Sequence, residues 1–469
     1  MAFRLTTRLI LAVVLLLILI HVLSNTNHGR RAPARKSDGT LLKAKSVEVT
    51  QKVEKAQVED VTNIDVLPPS HLLVVDDDGK PVVDKSVYRE IFSNSTSTGN
   101  YFGIHLGGVG GFNPTIIPHP TRFDSWIVVT QRIPKKDDAD RYSQQLVCNA
   151  GFLNDVLVCA AEPIVISVDS TKGDCKDELG YLNFQWGPRD ARAFYGPTAP
   201  YLLYSGHSSY TCMGMWMEDL RMLVDDYRIE SVLAKDFSKA TEIQKPPPLK
   251  GLEKNFFLFW DNAGEAYVHS DLVPKRVFAK LSPDGSVGPD LAPVIEDSDK
   301  KCMKRYMPKP VLDEALMQQA TNTLAITMCR RTDPKCVQND QNTYIVNIFH
   351  YKSHFAGHSI YEPYVMLFQQ TAPFAMHAIS TKPLWIAGRS KFSKFTGAVN
   401  WQDREDYPEN HSEMFYIRGM SWKSHGQKYH GYLDDVLFLT FGIEDSRPAA
   451  IDVMAADLLQ DLGLCANAK

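Results

Sequence analysis

The sequence lacks the motifs that mark several common functional classes. It has no Cys/His cluster with zinc spacing, no G-x-S-x-G nucleophile motif, and no Asp-x-Asp pair of the kind by which nucleotide-sugar transferases bind a metal near a switch point. The net charge is −4, and no Lys/Arg-rich face carries interleaved aromatic residues, which argues against a nucleic-acid-binding protein. We therefore expect no metal, no other cofactor and no nucleic-acid partner.

Helical periodicity is also scarce in this sequence. It is convincing only at Ala449–Leu464, where a helix would place Ile451, Met454, Leu458 and Leu462 on one face. Met217–Asp225 and Leu312–Gln319 are compatible with either a helix or a strand. No sequence repeat with a period of about 40–50 residues is visible.

Short β-type runs bounded by turn residues are abundant after His71. Examples are Ser125–Gln131, Phe256–Trp260 and Thr343–Phe349, with turns such as Pro283-Asp284-Gly285 between runs. Because the runs do not alternate with helices, the sequence predicts an all-β body, either a sandwich, a large barrel or a propeller.

The N-terminal region predicts a membrane-anchored protein. Residues 1–8 would be a cytosolic tail, 9–23 a transmembrane signal anchor, 24–69 a disordered polar stem, and 70–469 the folded body. A cleaved signal peptide is the alternative, because the uninterrupted apolar stretch is short. No A-x-A-like cleavage site follows it, which favours the uncleaved anchor.

Sequons and cysteines favour a luminal position of the body. Asn94 and Asn410 begin N-glycosylation sequons, and the eight cysteines form an even set that suits an oxidising compartment. Basic residues lie on both sides of the apolar run, so flanking charge does not fix the orientation. We expect a single-pass type II protein of the Golgi or endoplasmic reticulum membrane. Among the possible disulfides, Cys329 with Cys336 would close a small loop, and Cys148 with Cys159 would join neighbouring strands.

Three segments carry candidate functional side chains. In the first, the Asn113 amide precedes a strand and is able to bind a sugar hydroxyl, while Arg132 ends the next strand and suits a phosphate or carboxylate. A turn-capping role of Asn113 is the structural alternative.

In the second segment, Asp190 stands between Arg189 and Arg192, with aromatic residues on both sides. A carboxylate that acts on a glycosidic bond needs such a partly desolvated setting, and the arginines would suit an anionic phosphate. A surface ion pair is the alternative interpretation. The third segment, Glu253-Lys254-Asn255, directly precedes an apolar strand. His350, His354 and His358 recur at four-residue spacing on an expected turn, which does not indicate a metal site.

Together, these segments resemble a known superfamily. Asn113–Ile116, Gly187–Arg192 and Glu253–Phe256 are similar to the "N-P", "E-D-P-R" and "E-K-N-W" landmarks of the β-mannoside phosphorylases and hydrolases, and they occur in the same order. Fungal β-1,2-mannosyltransferases look like relatives of that group. The segment from Met420 to Phe438 looks like a final propeller blade.

The resemblance implies a five-bladed β-propeller with its site on the central axis and Asp190 as the catalytic residue. It implies substrate-binding roles for a wider set of residues: Asn113, Arg132, Arg189, Arg192, Glu253, Lys254, Asn255, His430 and Asp434. The chain departs from the landmarks at three positions, with Arg189 in place of Glu, Ala191 in place of Pro, and Phe256 in place of Trp.

The function expected from this combination is a secretory-pathway glycosyltransferase. Asp190 would deprotonate the acceptor, and mannose or another hexose would pass from a sugar nucleotide to a cell-wall or glycoprotein glycan. One alternative is a glycoside hydrolase or phosphorylase acting on β-mannosides, in which Asp190 would be the general acid. The other is a non-catalytic, carbohydrate-binding propeller.

Overall fold

The computed structural model describes most of the chain after residue 73. The described residues are 74–134, 142–168, 173–308, 317–355, 358–393 and 411–468, apart from Asp78 and Ala234. The predicted tail, anchor and stem lie outside this part of the chain, as does the sequon at Asn410. Within the described ranges, no helix is long and apolar enough to cross a membrane.

Five antiparallel meanders follow one another along the described chain, each with three or four strands. The first meander comprises β3 (Gly111–Pro118), β4 (Trp126–Arg132), β5 (Gln145–Leu153) and β6 (Val156–Cys159), and the second comprises β8 (Arg189–Tyr195), β9 (Pro200–His207), β10 (Met213–Asp219) and β11 (Thr241–Ile243). The third comprises β12 (Phe257–Trp260), β13 (Ala266–Asp271) and β14 (Val277–Lys280), and the fourth comprises β16 (Leu324–Thr327), β17 (Thr343–Phe355), β18 (His358–Gln369) and β19 (Met376–Ser380). The fifth comprises β21 (Phe415–Trp422), β23 (Val436–Ile443), β24 (Arg447–Met454) and the N-terminal strand β2 (Phe102–His105). The all-β prediction is confirmed.

Short strands and helices connect these meanders. The remaining strands are β1 (Arg89–Ile91), β7 (Ile164–Val165), β15 (Met317–Gln319), β20 (Leu384–Ile386), β22 (His430–Tyr432) and β25 (Leu462–Leu464). The α-helices of the described residues are α1 (Arg228–Ser231), α2 (Glu296–Tyr306) and α3 (Ala455–Leu458), and 3₁₀ turns lie at Asp177–Phe184, Leu220–Met222, Asp225–Tyr227, Ala292–Val294 and Cys465–Asn467.

The N-terminal strand β2 joins the last meander to the first. It pairs antiparallel with β24, where Phe102 lies opposite Ala450, and parallel with β6, where Ile104 lies opposite Leu157. Residues from the two ends of the described chain therefore share one sheet. Such pairing leaves no free strand edge between the fifth and the first meander.

The first strands of several meanders lie next to one another. The Ala193 amide of β8 donates to Thr115 Oγ1 of β3 over 3.0 Å, and Asn322, just before β16, donates from Nδ2 to the Met420 carbonyl of β21 over 2.9 Å. Residues of these strands are thus brought together, although they are far apart in the sequence.

Aromatic side chains fill the space between neighbouring meanders. Trp260 of the third meander stacks on Tyr201 of the second, with ring centroids 5.9 Å apart. Phe259 is fully buried and meets Phe368 of the fourth meander edge-on at 5.1 Å. The apolar run Phe256–Trp260 is buried at every position because both faces of this strand are covered.

All eight cysteines of the chain form disulfides. Cys148–Cys159 joins β5 to β6, and Cys329–Cys336 closes the loop between β16 and β17, as the sequence suggested among other pairings. The other two bonds are Cys175–Cys212 and Cys302–Cys465. The last one links α2 to the end of the described chain.

The predicted helix at Ala449–Leu464 is wrong. Its first part belongs to β24, and only Ala455–Leu458 is helical. Strand β24 lies between β23 and β2, and its residues 449–453 are all buried. A strand that is buried on both faces has apolar residues at consecutive positions, and these also fit the periodicity of an amphipathic helix. The sequence pattern of this segment was therefore ambiguous.

Candidate functional site

Three predicted site residues occupy the same unusual backbone conformation. Asn113, Asp190 and Asn255 have φ angles of 52°, 55° and 62°, and each lies at or just before the first strand of its meander. The left-handed region is unfavourable for most residues, but Asn and Asp adopt it more readily than other non-glycine residues. The sequence therefore places Asn or Asp where the backbone requires this turn.

A single-residue bulge accompanies this conformation in two of these strands. The pairing register shifts by one residue between Phe112 and Thr115 in β3, and between Arg189 and Arg192 in β8. Strand β21 has the same irregularity between Ile417 and Gly419, at Arg418. Bulges redirect side chains next to binding sites. Here they act on Asn113, Asp190 and Arg418.

Asp190 lies among positively charged side chains. Its amide donates to Gln131 Oε1 over 2.9 Å, its carbonyl accepts a hydrogen bond from Arg418, and its carboxylate Oδ1 lies 3.4 Å from Arg418 Nη2. Burial acts to raise the pKa of this carboxyl, but the charges of Arg418, Arg192, Lys254 and Arg189 outweigh it, so the net shift of the pKa is downward. The side chain is still 38% exposed, so an ionised Asp190 is open to a ligand.

Arg192 is one of two buried cations in this group, the other being Arg418. Arg192 is 1% exposed, and its Nη2 donates to Asn255 Oδ1 over 3.2 Å. Burial, together with the neighbouring charge of Arg418, lowers its pKa to about 10, so Arg192 remains protonated at neutral pH. Lys254 is exposed beside these groups.

Asp445 is a second carboxyl at the same end of the meanders. It lies in the turn between β23 and β24, where Glu444 and Asp445 have φ angles of 51° and 46°. The surrounding protein raises the pKa of Asp445 by desolvation and then through the charge of Asp190, while a hydrogen bond with the Asn113 side chain opposes the increase. Asp445 is exposed to solvent, so its carboxyl is open to a ligand.

The neighbouring residue Glu444 anchors this turn. It is buried, and its carboxylate accepts from the Met414 amide over 2.6 Å and lies 3.0 Å from His358 Nε2. Backbone strain of this kind persists only where surrounding contacts hold it. Glu444 is therefore a structural support for the position of Asp445.

An aromatic cluster from the fourth and fifth meanders borders the charged groups. His350 of β17 lies 4.9 Å from Tyr416 and 5.4 Å from Tyr361, measured between ring centroids. Burial lowers the pKa of His350 to about 3, helped by the charges of Arg192 and Arg389, so its ring is neutral. Lys352 lies over the Tyr361 ring at 5.4 Å.

Positive charge predominates around Asp190 and Asp445. The two carboxyls interact with five cations, namely Arg189, Arg192, Lys254, Lys352 and Arg418. A surplus of cations of this size attracts an anion. The arrangement combines an ionised carboxylate, a carboxyl that holds its proton more strongly, and a surplus of positive charge.

The other predicted site residues lie outside this cluster. Arg132 donates from Nη1 to Gln144 Oε1. Glu253 is buried, lies 3.2 Å from Lys245 Nζ and accepts from the Lys250 amide, so it stabilises the chain before β12. The structure therefore brings Asn113, Arg189, Arg192, Lys254 and Asn255 together around Asp190, but it places Arg132 and Glu253 at its margins.

His430 and Asp434 lie at the opposite end of the meanders. His430 contacts Thr327 Oγ1 at the far end of β16 over 2.8 Å, and Asp434 accepts from the amides of Arg331 and Thr332 in a loop. A seven-residue strand such as β8 spans roughly 20 Å, so these residues do not reach Asp190. His430 and Asp434 lie close together in the sequence, within the segment that resembles a propeller blade, but this does not place them at the site around Asp190.

Several residues of the cluster were missed by sequence reasoning: His350, Lys352, Tyr361, Tyr416, Arg418 and Asp445. Asp445 carried a usable signal, because Glu444-Asp445-Ser446 is a polar turn between two apolar runs. The wrong helix prediction for the following segment concealed this hairpin. Among the described residues, no group of three His, Cys, Asp or Glu side chains is arranged to hold a metal ion.

No protein-family model matches this chain, and no curated protein sequence matches it. Among solved structures, it is similar to β-1,2-mannobiose phosphorylase from Listeria innocua in complex with β-1,2-mannobiose, with 11% identity, a TM-score of 0.40, and coverage of 75% of this chain and 92% of that chain. It is also similar to a mannose phosphorylase from Leishmania mexicana in complex with phosphate ion, with 11% identity, a TM-score of 0.36, and coverage of 78% and 88%. For the catalytic domain of an α-L-arabinofuranosidase from Coprinopsis cinerea, the values are 9% identity, a TM-score of 0.38, and coverage of 76% and 96%. At these TM-scores the similarities carry no inference about fold or activity, and no family is assigned to the chain.

Proposed function

We propose that this protein is a carbohydrate-active enzyme that cleaves a glycosidic bond of its substrate, with Asp190 and Asp445 as the catalytic residues. The attacking group would be water or inorganic phosphate, and a β-mannoside is the candidate substrate because of the sequence resemblance. One observation carries the proposal: two interacting carboxyls have pKa values shifted in opposite directions, amid a surplus of cations. Paired carboxyls with separated pKa values are the arrangement that glycosidic cleavage uses.

The proposed roles follow from the two protonation states. Asp445 keeps its proton to a higher pH and donates it to the glycosidic oxygen as the bond from that oxygen to the anomeric carbon breaks. Asp190 is ionised and accepts the proton of an attacking water, or orients the substrate when phosphate attacks. Arg192, Arg418 and Lys254 would bind the phosphate when phosphate is the attacking group.

Transfer from a sugar nucleotide is the second candidate, and the cation surplus favours it. Asp190 would be the base that deprotonates the acceptor hydroxyl, and the arginines would bind the nucleotide phosphates. A nucleotide leaving group needs no proton, however, whereas a glycosidic oxygen does. The carboxyl of Asp445, with its raised pKa, therefore supports a glycoside as the substrate better than a sugar nucleotide.

The proposed setting is a five-bladed β-propeller in the lumen of the Golgi or endoplasmic reticulum. The five meanders, with β2 joining the last to the first, support the propeller arrangement. The four disulfides and the exposed sequon residue Asn94 support an oxidising compartment with access to glycosylation. The type II anchor at residues 9–23 and a glycan partner remain part of the proposal.

The test is an assay of the purified full chain on β-1,2- and β-1,4-linked mannobiose, with and without phosphate. We expect free mannose, or mannose 1-phosphate when phosphate is present, and a loss of about 100-fold or more in Asp190→Asn. Asparagine tolerates the backbone of residue 190, so this variant should fold. Asp434→Asn, an acidic residue at the opposite end, is the matched control.

A parallel reaction with GDP-mannose and a mannoside acceptor separates the candidates. Acceptor-dependent release of nucleotide, without cleavage of mannobiose, would replace the main proposal with the transferase. If Asp190→Asn leaves all turnover intact, the assignment of this site is wrong. Saccharide binding without any turnover would indicate a binding protein.

A further inference from the structure

A polar recess lies at the end of the meanders opposite Asp190. Its volume is about 790 Å³, within the range of about 300–1,000 Å³ that is typical of small-molecule sites. Five connections line it: the β8–β9 turn at Pro197, the β12–β13 turn at 261–264, the β16–β17 loop at Arg331 and Gln338, the β18–β19 turn at Gln370, and the β21–β23 connection at 424–430 and Asp435. None of these connections contributes to the cluster around Asp190.

The charges of this recess are balanced within the protein. Asp435 accepts hydrogen bonds from Arg331 Nη2 over 2.6 Å and from Gln427 Nε2 over 2.8 Å. Asp261 accepts from the amides of Ala263 and Glu265, each over 2.9 Å. Two carboxylates face two cations, Arg331 and Lys428, so the recess has no charge surplus of the kind found around Asp190.

The side chains that line the recess offer a ligand both hydrogen-bond acceptors, on the amide groups, and a hydrogen-bond donor, on Lys428. Gln370 uses its Nε2 to reach the Trp260 carbonyl over 3.3 Å, Asn262 uses its Nδ2 to reach Asp340 over 3.0 Å, and Gln427 also donates from Nε2. Their carbonyl oxygens accept no hydrogen bond within the described chain. Lys428 donates only over 3.3 Å, to the Thr198 carbonyl. Its ammonium group retains hydrogens for a ligand.

The floor of the recess is rigid. Tyr429 is 3% exposed, and its hydroxyl accepts from the Trp260 amide over 3.2 Å and contacts Thr323 Oγ1 over 3.0 Å. The Arg331 guanidinium is fixed by Asp435 and lies 4.2 Å from the centroid of the Tyr432 ring. A site whose polar groups are held in place loses little conformational entropy when it binds.

We infer that this recess is a second binding site, for a neutral oligosaccharide. Each hydroxyl group both donates and accepts a hydrogen bond, so a polyhydroxylated ligand matches adjoining amide oxygens and cationic donors. An anion would meet the Asp261 and Asp435 carboxylates, and an apolar ligand would leave the amides unpaired. The site lies roughly 20 Å from Asp190, and the inference does not depend on the proposed activity.

The test is calorimetric titration of the full chain with β-1,4-mannotriose, cellotriose and β-1,4-galactotriose. Ser424→Trp would fill the recess, because Ser424 is exposed on its wall and uses no side-chain hydrogen bond among the described residues. Ser282→Trp is the matched control, since Ser282 is equally exposed on a turn outside the recess. We expect at least one trisaccharide to bind, with a Kd raised tenfold or more by Ser424→Trp and unchanged by Ser282→Trp.

The titration is repeated in Arg192→Ala to separate the two sites. Binding at the recess should persist there, and Ser424→Trp should leave turnover at Asp190 unchanged. The inference is overturned if none of the trisaccharides binds, if Ser424→Trp binds normally, or if only Arg192→Ala abolishes binding. A protein that binds a trisaccharide in this way but cleaves no glycoside would contradict the proposed function alone.

Discussion

The buried guanidinium of Arg192 donates from Nη2 to Oδ1 of Asn255 over 3.2 Å, and this bond links the second meander to the third. Both residues lie near Asp190, and Asn255 is in the left-handed conformation. The bond fixes a cation that lowers the pKa of the Asp190 carboxyl. A variant that removes this hydrogen bond therefore tests how the site is assembled.

Asn255→Gly should reduce turnover about tenfold. Glycine accepts the backbone of residue 255 but removes the partner of Arg192, and leaving a buried donor unpaired costs about 1–3 kcal/mol. Asn154→Gly is the control, because Asn154 has a φ angle of 54° in an exposed turn. Steady-state kinetics on mannobiose measure both variants. Equal losses in the two would indicate a general effect of glycine.

Activity should be confined to the pH range in which Asp190 is ionised and Asp445 is protonated. The pKa of Asp190 is lowered and that of Asp445 is raised, so turnover should fall in acid below the first pKa and fall again as the pH rises through the second. The optimum is thus expected on the acidic side of neutrality. A pH–rate profile of the full chain measures both limits.

Asp445→Asn should lose activity on mannobiose but retain it on a nitrophenyl β-mannoside. The nitrophenolate leaves without a proton, so the acid is dispensable for that substrate, and the upper pH limit should disappear. Asp434→Asn is again a suitable control. Equal losses of this variant on both substrates would rule out the acid role.

Gly442→Ala should displace Asn113 and lower turnover. A Cβ at residue 442 would lie 2.1 Å from Asn113 Oδ1, whereas a Cβ at Gly103, also in a strand of the fifth meander, meets nothing within 4 Å. Because the Asn113 side chain is hydrogen-bonded to Asp445, its movement should also change the upper pH limit. Gly103→Ala should behave like the wild type in both respects. An unchanged pH profile in Gly442→Ala would show that Asn113 does not tune Asp445.

Asp299→Asn should destabilise the fold by about 3–5 kcal/mol. Asp299 accepts from Arg276 Nη1 over 2.9 Å, and both side chains are nearly inaccessible to solvent, so the variant would leave a buried guanidinium uncompensated. Glu265→Gln removes the partner of Lys280 in an exposed pair, and it should cost about 0–1 kcal/mol. Urea unfolding compares the two, and similar losses would contradict this difference in burial.

The fold should lose stability as the pH falls from 6.5 to 5. Burial lowers the pKa of His269 and of His350 to about 3, against an ordinary value of 6.5. Below pH 6.5 the unfolded chain therefore binds a proton at each of these two histidines that the native state does not. The lowered pKa values of His119, His377 and His430 act in the same direction. The free energy of unfolding should fall by about 1.4 kcal/mol per pH unit for each histidine.

His350→Asn should remove the contribution of one histidine, up to about 1.4 kcal/mol per pH unit, from this pH dependence, measured by urea unfolding between pH 6.5 and 5. His105→Asn, at an exposed histidine in β2, should leave the slope unchanged. An unchanged slope in His350→Asn would mean that residue 350 accepts its proton without unfolding.

Sequence patterns identified the strands well but the connections poorly. Runs such as Phe256–Trp260 and Ser125–Gln131 coincide closely with strands because they combine apolar β-formers with turn residues nearby. The segment after Glu444 was misread because a strand buried on both faces has no alternation to distinguish it from a helix. That error also concealed the turn that carries Asp445.

The sequence by itself determined the all-β class, the turn residues and the chemical character of the Asn113, Asp190 and Asn255 segments, because these properties depend on residue type and near neighbours. Only the tertiary structure decided which polar side chains meet. It placed Arg418 and Asp445 beside Asp190, and it separated His430 and Asp434 from them by the length of a strand. The physical reason is that meander order and strand register bring distant residues together, and neither is encoded by local pattern.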